Sequence, residues 1–533
     1  MSLFSTLNGP VRGRRTAPGV VAVLGIPYAA PPFGPDRFKA PRPAPSWQGI
    51  RECVAFGPVA PQSAELPGAP SWSPGDEDVL NLNVWTDDEA GERPVLFWIH
   101  GGAYTFGSSA QPDFDGTALA RAGLVVVSLN YRLGFEGFGH IPDSEFPENR
   151  GLLDQIAALE WVRDNIASFG GDPANVTVAG QSSGAASIAC LTVMERARGL
   201  FHRAIAHSVV GPVYSPRLAA DTTQLVAAAA EVPPTAAGLT AASPYDLVRA
   251  SDQVVARLRD DPSAGARHYD PVLYGPVADG VLLPADPLAV GAADRADVDL
   301  LVCHTTEEYW LLDAVGSSKK ITTESQLAAF AKEFGLPDDL VPAYRALLPD
   351  APVLDVYLAI YGDMSFGEYS SRLAERHAAA GRRTYLSRFA RKRGTAGGVV
   401  TEVGVVTEDG VATGDGVATG DGVATEDGVA TEDGVATEDG VVRPWHCADV
   451  PFAFGTVDLP EVAFLIGGPP TAEDHELSRR MVRAWADFAA TGEPGWGTDT
   501  VRIWGAGDEG GTHGAYDGFR AAWRTADYSL VHP

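Results

Sequence analysis

The sequence predicts an α/β protein built on a mostly parallel sheet, and three observations carry that prediction. First, short apolar runs recur along the chain: RPVLFWIH (93–100), LVVVSLNY (124–131), NVTVAG (175–180) and DVDLLVCH (297–304). Near-continuous Val, Leu and Ile without alternation is the pattern of strands covered on both faces. Second, Leu152, Ile156, Leu159, Val162 and Ile166 fall three or four residues apart and share one helical face, and Gly170-Gly171 then stops the helix. Third, the order is strand, helix, strand, which is how a doubly wound parallel sheet is connected. RTYLSRFA (383–390) reads as a later strand of the same kind.

The 533 residues carry 45% hydrophobic and 20% charged side chains, enough apolar material for one large core. A single domain spanning 1–533 is expected, since large α/β enzymes reach this length as one unit. The formal net charge of −29 argues against nucleic acid and against anionic membrane surfaces as partners. Cys53, Cys190, Cys303 and Cys447 form no CxxC pair, so no structural zinc site is expected and free thiols in a reducing compartment are. MSLFSTLNGPVRGRR lacks the apolar centre of a signal peptide, and no apolar run is long enough to span a bilayer. A cytoplasmic protein is expected, with a monomer as the simplest state.

Residues 399–440 stand apart as seven tandem hexads, VVTEVG VVTEDG VATGDG VATGDG VATEDG VATEDG VATEDG. They hold 11 acidic and no basic residues; without them 58 acidic residues face 40 basic ones, so the rest of the fold is acidic in its own right. Dense like charge and few large apolar residues favour a disordered surface insertion. Asp-Gly pairs could instead nucleate hairpins, and stacked hexads a small solenoid. The acidic rows could also attract calcium, although their spacing matches no known loop.

Chemistry enters at Gly180-Gln181-Ser182-Ser183-Gly184, which fits the G-x-S-x-G nucleophile elbow. A sharp strand-to-helix turn crowds the backbone, so its flanks must be small. The turn lifts the Ser182 hydroxyl above the sheet, and the following helix aims its N-terminus at developing negative charge. Taken alone, the pattern is better read as a plain Gly-Ser turn. A second small-residue segment, His100-Gly101-Gly102-Ala103-Tyr104, follows directly on an apolar run. Such a loop lets backbone N–H groups approach a substrate oxygen, as an oxyanion hole requires, or it is simply a tight strand exit.

These segments, with GPVRG (9–13), GIPYAAPPFGPDRF (25–38), EDVLNLNVW (77–85), WIHGGAY (98–104), LNYRLGFEGF (129–138), GLLDQIAALEWVRDNIASFGGDP (151–173) and WADFAATGEP (485–494), resemble the type-B carboxylesterase/lipase family. That family includes carboxylesterases, cholinesterases and bacterial para-nitrobenzyl esterases. The resemblance covers nearly the whole chain. It implies the α/β-hydrolase fold, a mostly parallel central sheet flanked by helices with a large helical cap region. It also implies the chain order serine, acid, histidine and no metal or organic cofactor.

Carried over, the resemblance makes Ser182 the nucleophile, and Gly102, Ala103 and Ser183 the backbone oxyanion donors. The family acid lies in Asn-x-Asp-Glu-Gly; the matching stretch is Thr305-Thr306-Glu307-Glu308-Tyr309, which favours Glu308 over Glu307. His446-Cys447-Ala448-Asp449 resembles the family's His-Gly-x-Glu and makes His446 the general base. Ser208, in AIAHSVVG (204–211), matches a serine that supports the acid by hydrogen bonding, and is equally readable as a core hydroxyl. The family elbow usually has Glu before the serine and Ala after it; here stand Gln181 and Ser183. Secreted relatives close a disulfide where this chain has Ala60 and Val79. Trp72 occupies a loop where cholinesterases place a choline-stacking aromatic, though plain packing is the favoured reading.

The implied activity is a serine-dependent carboxylic ester hydrolase acting through an acyl-enzyme on small or aryl esters. The family also contains adhesion proteins that lack the serine. The alternative is therefore a catalytically weak member whose acidic repeat insertion serves as a binding module.

Overall fold

The structure is a computed structural model and describes residues 2–63, 71–87, 91–211, 213–394, 405–406, 412–413, 429–431, 434–436, 441–505 and 516–526. Its centre is a 12-stranded sheet. Eleven of its strands form one path: β1 (Ser2–Thr6), β2 (Gly9–Ala17), β3 (Val20–Pro27), β4 (Asn81–Thr86), β5 (Arg93–Ile99), β6 (Val125–Leu129), β7 (Gly171–Gln181), β8 (Arg203–His207), β9 (Asp299–Thr305), β10 (Thr384–Phe389) and β11 (Val501–Trp504). The spatial order is β1-β2-β3-β4-β6-β5-β7-β8-β9-β10-β11, and the short strand Arg51–Glu52 pairs with β2.

The apolar runs read from the sequence are the parallel half of this sheet. From β6 onward every pairing is parallel, whereas β1 to β4 and the β4–β6 junction are antiparallel. Burial explains the difference in composition. Every residue of β6, and Val95 to Ile99 of β5, is buried, because helices cover both faces there. β2, which carries Arg12, Arg14, Arg15 and Thr16, leaves several side chains partly or fully exposed.

Three helices support or flank the serine turn and the imidazole. Helix α1 (Arg150–Asn165) buries the predicted Leu152, Ile156, Leu159 and Val162 face and passes into a 3₁₀ turn at Ile166–Phe169. That turn ends at Gly170, whose φ of 79° is the left-handed stop expected of glycine. Helix α2 (Ser183–Leu191) follows β7 without a linker and is buried throughout. Helix α3 (Glu368–Ala379) is entered through a π-helical turn at Asp363–Gly367. Further helices lie between β8 and β10, among them Pro216–Ala229, Pro244–Asp260, Glu324–Glu333 and Val353–Gly362; they make up the helical region that the family resemblance implies.

Arg393–Gly394 pairs antiparallel with Val441–Val442, so the two ends of the hexad insertion are brought together. Within the repeats, Val405–Val406 pairs with Ala412–Thr413, and Val429–Thr431 with Gly434–Ala436. Both pairings are antiparallel, and in the second Gly434 is itself paired, opposite Thr431. The expectation of disorder for the remaining hexad residues lies outside the described residues.

All four cysteines are free thiols, and Ala60 and Val79 are buried apolar neighbours of the core. Among the described residues no helix is long and apolar enough to cross a membrane. Trp72 is partly buried, packs its ring 6.0 Å from that of Phe33 and donates to the Asp76 carbonyl, so packing accounts for it.

Candidate active site

The site is assembled from loops at the carboxyl ends of β5, β7, β8, β9 and β10, the edge at which parallel sheets place their ligands. Ser182 sits between β7 and α2 with φ 57° and ψ −125°, a conformation few non-glycine residues adopt. Its N–H donates to the His207 carbonyl at 2.9 Å, which holds the turn against β8. Small neighbours make the turn feasible: a Cβ on Gly184 would lie 2.0 Å from the Ile99 carbonyl oxygen. The end of β5 and the start of α2 therefore touch through backbone.

The β5 exit loop lies beside the serine, since a Cβ on Gly101 would stand 3.1 Å from the Ser182 Cβ. Gly102 has φ 112°, followed by Ala103 at 50° and Tyr104 at 61°. Consecutive positive φ values curl the chain so that successive N–H groups face one concavity. The Gly102 carbonyl turns the other way and accepts from the Thr105 and Phe106 N–H groups. The N–H groups of Gly102, Ala103 and Ser183 have no acceptor among the described residues. His100 ahead of them is a packing residue. It stacks on Tyr131 at 4.6 Å, and burial lowers its pKa to about 4 despite its bond to the Gly101 carbonyl.

Glu308 and His446 meet although 138 positions separate them. The imidazole Nδ1 lies 2.6 Å from Glu308 Oε2, and the His446 N–H donates to the Glu308 carbonyl. The other carboxylate oxygen accepts from the Ser208 hydroxyl at 2.6 Å and from the Thr305 N–H at 2.7 Å. Both oxygens of a carboxylate that is 2% exposed are thus satisfied. Glu307, left open beside Glu308, points elsewhere: it holds Arg443 at 2.9 Å and also pairs with Lys392.

The imidazole is held above its ordinary pKa. Burial opposes its charge, but the neighbouring Cys447 sulfur and Glu308 carboxylate overcome that opposition. Burial also raises the pKa of the Cys447 thiol. Phe366, from the π-helical turn, covers the ring at 4.3 Å.

With Nδ1 turned to Glu308, the Nε2 lone pair is the one that faces the elbow. Its partner in this structure is the Gln181 amide nitrogen at 2.9 Å, and the Ser182 hydroxyl makes no hydrogen bond to it. In the sequence Gln181 stands out only as a departure from the family elbow; its side chain proves to reach the His446 imidazole.

A second buried pair was not anticipated. His207 Nδ1 lies 2.6 Å from Asp449 Oδ2, and both groups are at most 2% exposed. His207 is the residue whose carbonyl receives the Ser182 N–H. Asp449 is three residues past His446, at the start of the Val450–Phe454 helix. The pair therefore ties the Ser182 turn to the loop carrying the His446 imidazole. Asp449 stands where the family motif has an acidic residue, and that was the signal available.

A buried serine on a strained strand-to-helix turn, a carboxylate-bound imidazole and a loop of open N–H groups define an α/β-hydrolase of the serine type. The comparisons with known proteins narrow the class. The model of the carboxylesterase family matches residues 2–509. The para-nitrobenzyl esterase of Bacillus subtilis is 40% identical over 325 residues, 58% of this chain and 63% of that protein. The phenmedipham hydrolase of Pseudarthrobacter oxydans is 35% identical over 370 residues, 68% of this chain and 72% of its own. The Geobacillus stearothermophilus carboxylesterase EST55, solved at pH 6.2, superposes with a TM-score of 0.78 at 31% identity, covering 98% of this chain and all of that one. The chain belongs to the carboxylesterase family and is a serine ester hydrolase. The alternative of a repeat-bearing binding protein finds no support among these relatives.

Proposed function

We propose that Ser182 is the nucleophile, His446 its general base and Glu308 the carboxylate that orients the imidazole. Ser182 attacks the ester carbonyl as His446 takes its proton. The N–H groups of Gly102, Ala103 and Ser183 hold the oxyanion of the tetrahedral intermediate. His446 then gives the proton to the departing alcohol, and an acyl-enzyme remains on Ser182. Water, deprotonated by the same imidazole, attacks the acyl carbonyl and releases the acid.

The observation that carries this reading is the 2.6 Å contact between His446 Nδ1 and Glu308 Oε2, which leaves Nε2 facing the serine turn. Ser208 and the Thr305 N–H occupy the second carboxylate oxygen and keep the acid in place. Small and aryl carboxylic esters are the substrates we infer, in line with the relative named para-nitrobenzyl esterase. The chemistry requires no metal or organic cofactor. A cytoplasmic monomer belongs to the same proposal. Its supports are the free cysteines and a net charge of −29, which favours a soluble, unassociated chain.

The test is a panel of para-nitrophenyl esters of increasing acyl length, run on wild type and on Ser182→Ala, with labelling by an organophosphorus probe. Wild type is expected to be labelled and to turn over short acyl chains. Ser182→Ala is expected to lose roughly 10⁴-fold or more in kcat and all labelling. Equal turnover by the two proteins would end the assignment.

A further inference from the structure

The base that should take the Ser182 proton is, in this structure, bonded to something else. The Gln181 amide nitrogen sits 2.9 Å from His446 Nε2, and the Nδ1 proton is committed to Glu308. When the ring is neutral, the hydrogen that fills that contact is an amide N–H donating to the Nε2 lone pair. We propose that Gln181 is a positioning residue that occupies the resting imidazole and yields it to the Ser182 hydroxyl when an ester binds.

This rests on the reading of His446 as base and adds a competition for its lone pair. Gln181 is placed for it. The residue ends β7, its side chain is 5% exposed, and it lies between the β5 exit loop and the imidazole; its Oε1 would be 2.8 Å from a Cβ on Gly101. As donor the amide steadies the neutral ring. A carboxylate at this position, as the family elbow usually has, accepts only and so favours the charged ring alone. The titratable groups facing the imidazole are Glu308 after β9, Cys447 on its own loop, and Asp449 with its partner His207 at the end of β8. Phe366 closes the remaining face. Gln181 is the uncharged member of this set that touches Nε2.

The pH dependence of kcat/KM separates this role from a merely structural one. The limb on the acid side reports protonation of the free base. Gln181→Met keeps the length and removes the donor to the neutral ring, so its acid limb is expected above that of wild type by a few tenths of a pH unit. Gln181→Glu adds a charge that favours the imidazolium, and its limb is expected about one unit or more above wild type. Coincident limbs would overturn the proposal. So would a shift in Gln181→Glu alone, because a nearby charge moves any imidazole.

A second measurement guards against variants that fold poorly. The ¹⁵N resonance of His446 Nε2 in Ser182→Ala should keep the position of a hydrogen-bonded lone pair; the position of a free one would overturn the proposal. If Ser182→Ala retains turnover, the nucleophile assignment fails instead. If it is inert and the limbs coincide, only the role of Gln181 fails.

Discussion

At the scale of single residues, two adjacent glutamates show how far local pattern reaches. The resemblance favoured Glu308 over Glu307 within Thr305-Thr306-Glu307-Glu308-Tyr309, and the two carboxylates differ in their partners remote in sequence: Ser208 and His446 for Glu308, Arg443 and Lys392 for Glu307. The reading predicts that Glu308→Gln lowers kcat by roughly 10³-fold or more with little change in KM, since a neutral amide cannot steady the imidazolium. Glu307→Gln should change kcat by less than about tenfold and act mainly on thermal stability, and steady-state kinetics with a melting curve on both variants checks the contrast. Asp113 offers a prediction of opposite kind. Burial raises its pKa from 3.8 to about 7, so the folded chain holds this proton more tightly than the unfolded chain does. Stability contributed by that proton is present at low pH and is lost as pH rises toward 7. Asp113→Asn should therefore melt higher than wild type at pH 8, and the difference should shrink by pH 5; a constant difference would contradict the assignment.

At the scale of elements, the parallel strands and α1 were legible because burial on two faces imposes a composition that a single run of residues displays. The contacts between elements were not. Nothing local to β8 announces that His207 pairs with Asp449, 242 positions away. The same holds for the Gln181 contact and for Phe366 on the imidazole, both of which depend on chain crossings that no periodicity records. The elbow was legible for the opposite reason, because its crowding acts on neighbours in sequence. Gly184→Ala would bring a Cβ to 2.0 Å from the Ile99 carbonyl, a backbone atom that cannot step aside. We expect a loss of about 1–3 kcal/mol in stability and a drop in organophosphorus labelling, read by denaturant melts and by labelling rate. The His207–Asp449 pair predicts a different signature. Burial alone would raise the Asp449 carboxyl, yet the His207 ring beside it brings its pKa below the ordinary value. A depressed carboxylate stabilises the fold above the unfolded value of about 4 and loses that contribution as pH falls through the folded one. Asp449→Asn should accordingly be less stable than wild type at pH 7, with the gap closing below about pH 4; a gap that stays open in acid would rule the pair out as its source.

At the scale of the whole molecule, the open question is how a 42-residue acidic insertion coexists with the proposed base, His446, only six residues beyond its end. The anchoring of residues 443–446 answers it. The Pro444 carbonyl accepts from the Glu307 N–H, Arg443 pairs with Glu307, Trp445 donates its indole N–H to the Leu465 carbonyl, and the His446 N–H reaches the Glu308 carbonyl. None of these partners lies in the hexads. Before this anchored stretch, Arg393–Gly394 and Val441–Val442 close the neck of the insertion by antiparallel pairing. Removing 399–440 would leave Thr395-Ala396-Gly397-Gly398 between the two paired segments, a four-residue connection of a length that hairpins commonly use. Shortening a long loop across a closed neck also lowers its closure entropy slightly. The deletion should then keep kcat and KM for a short aryl ester within about twofold, leave the melting temperature equal or slightly higher, and reduce the net charge from −29 to −18, visible as a shift in native electrophoresis. A large fall in kcat with an intact fold would mean that the hexads support the imidazole across the neck, and that the four anchors at 443–446 are insufficient to position it.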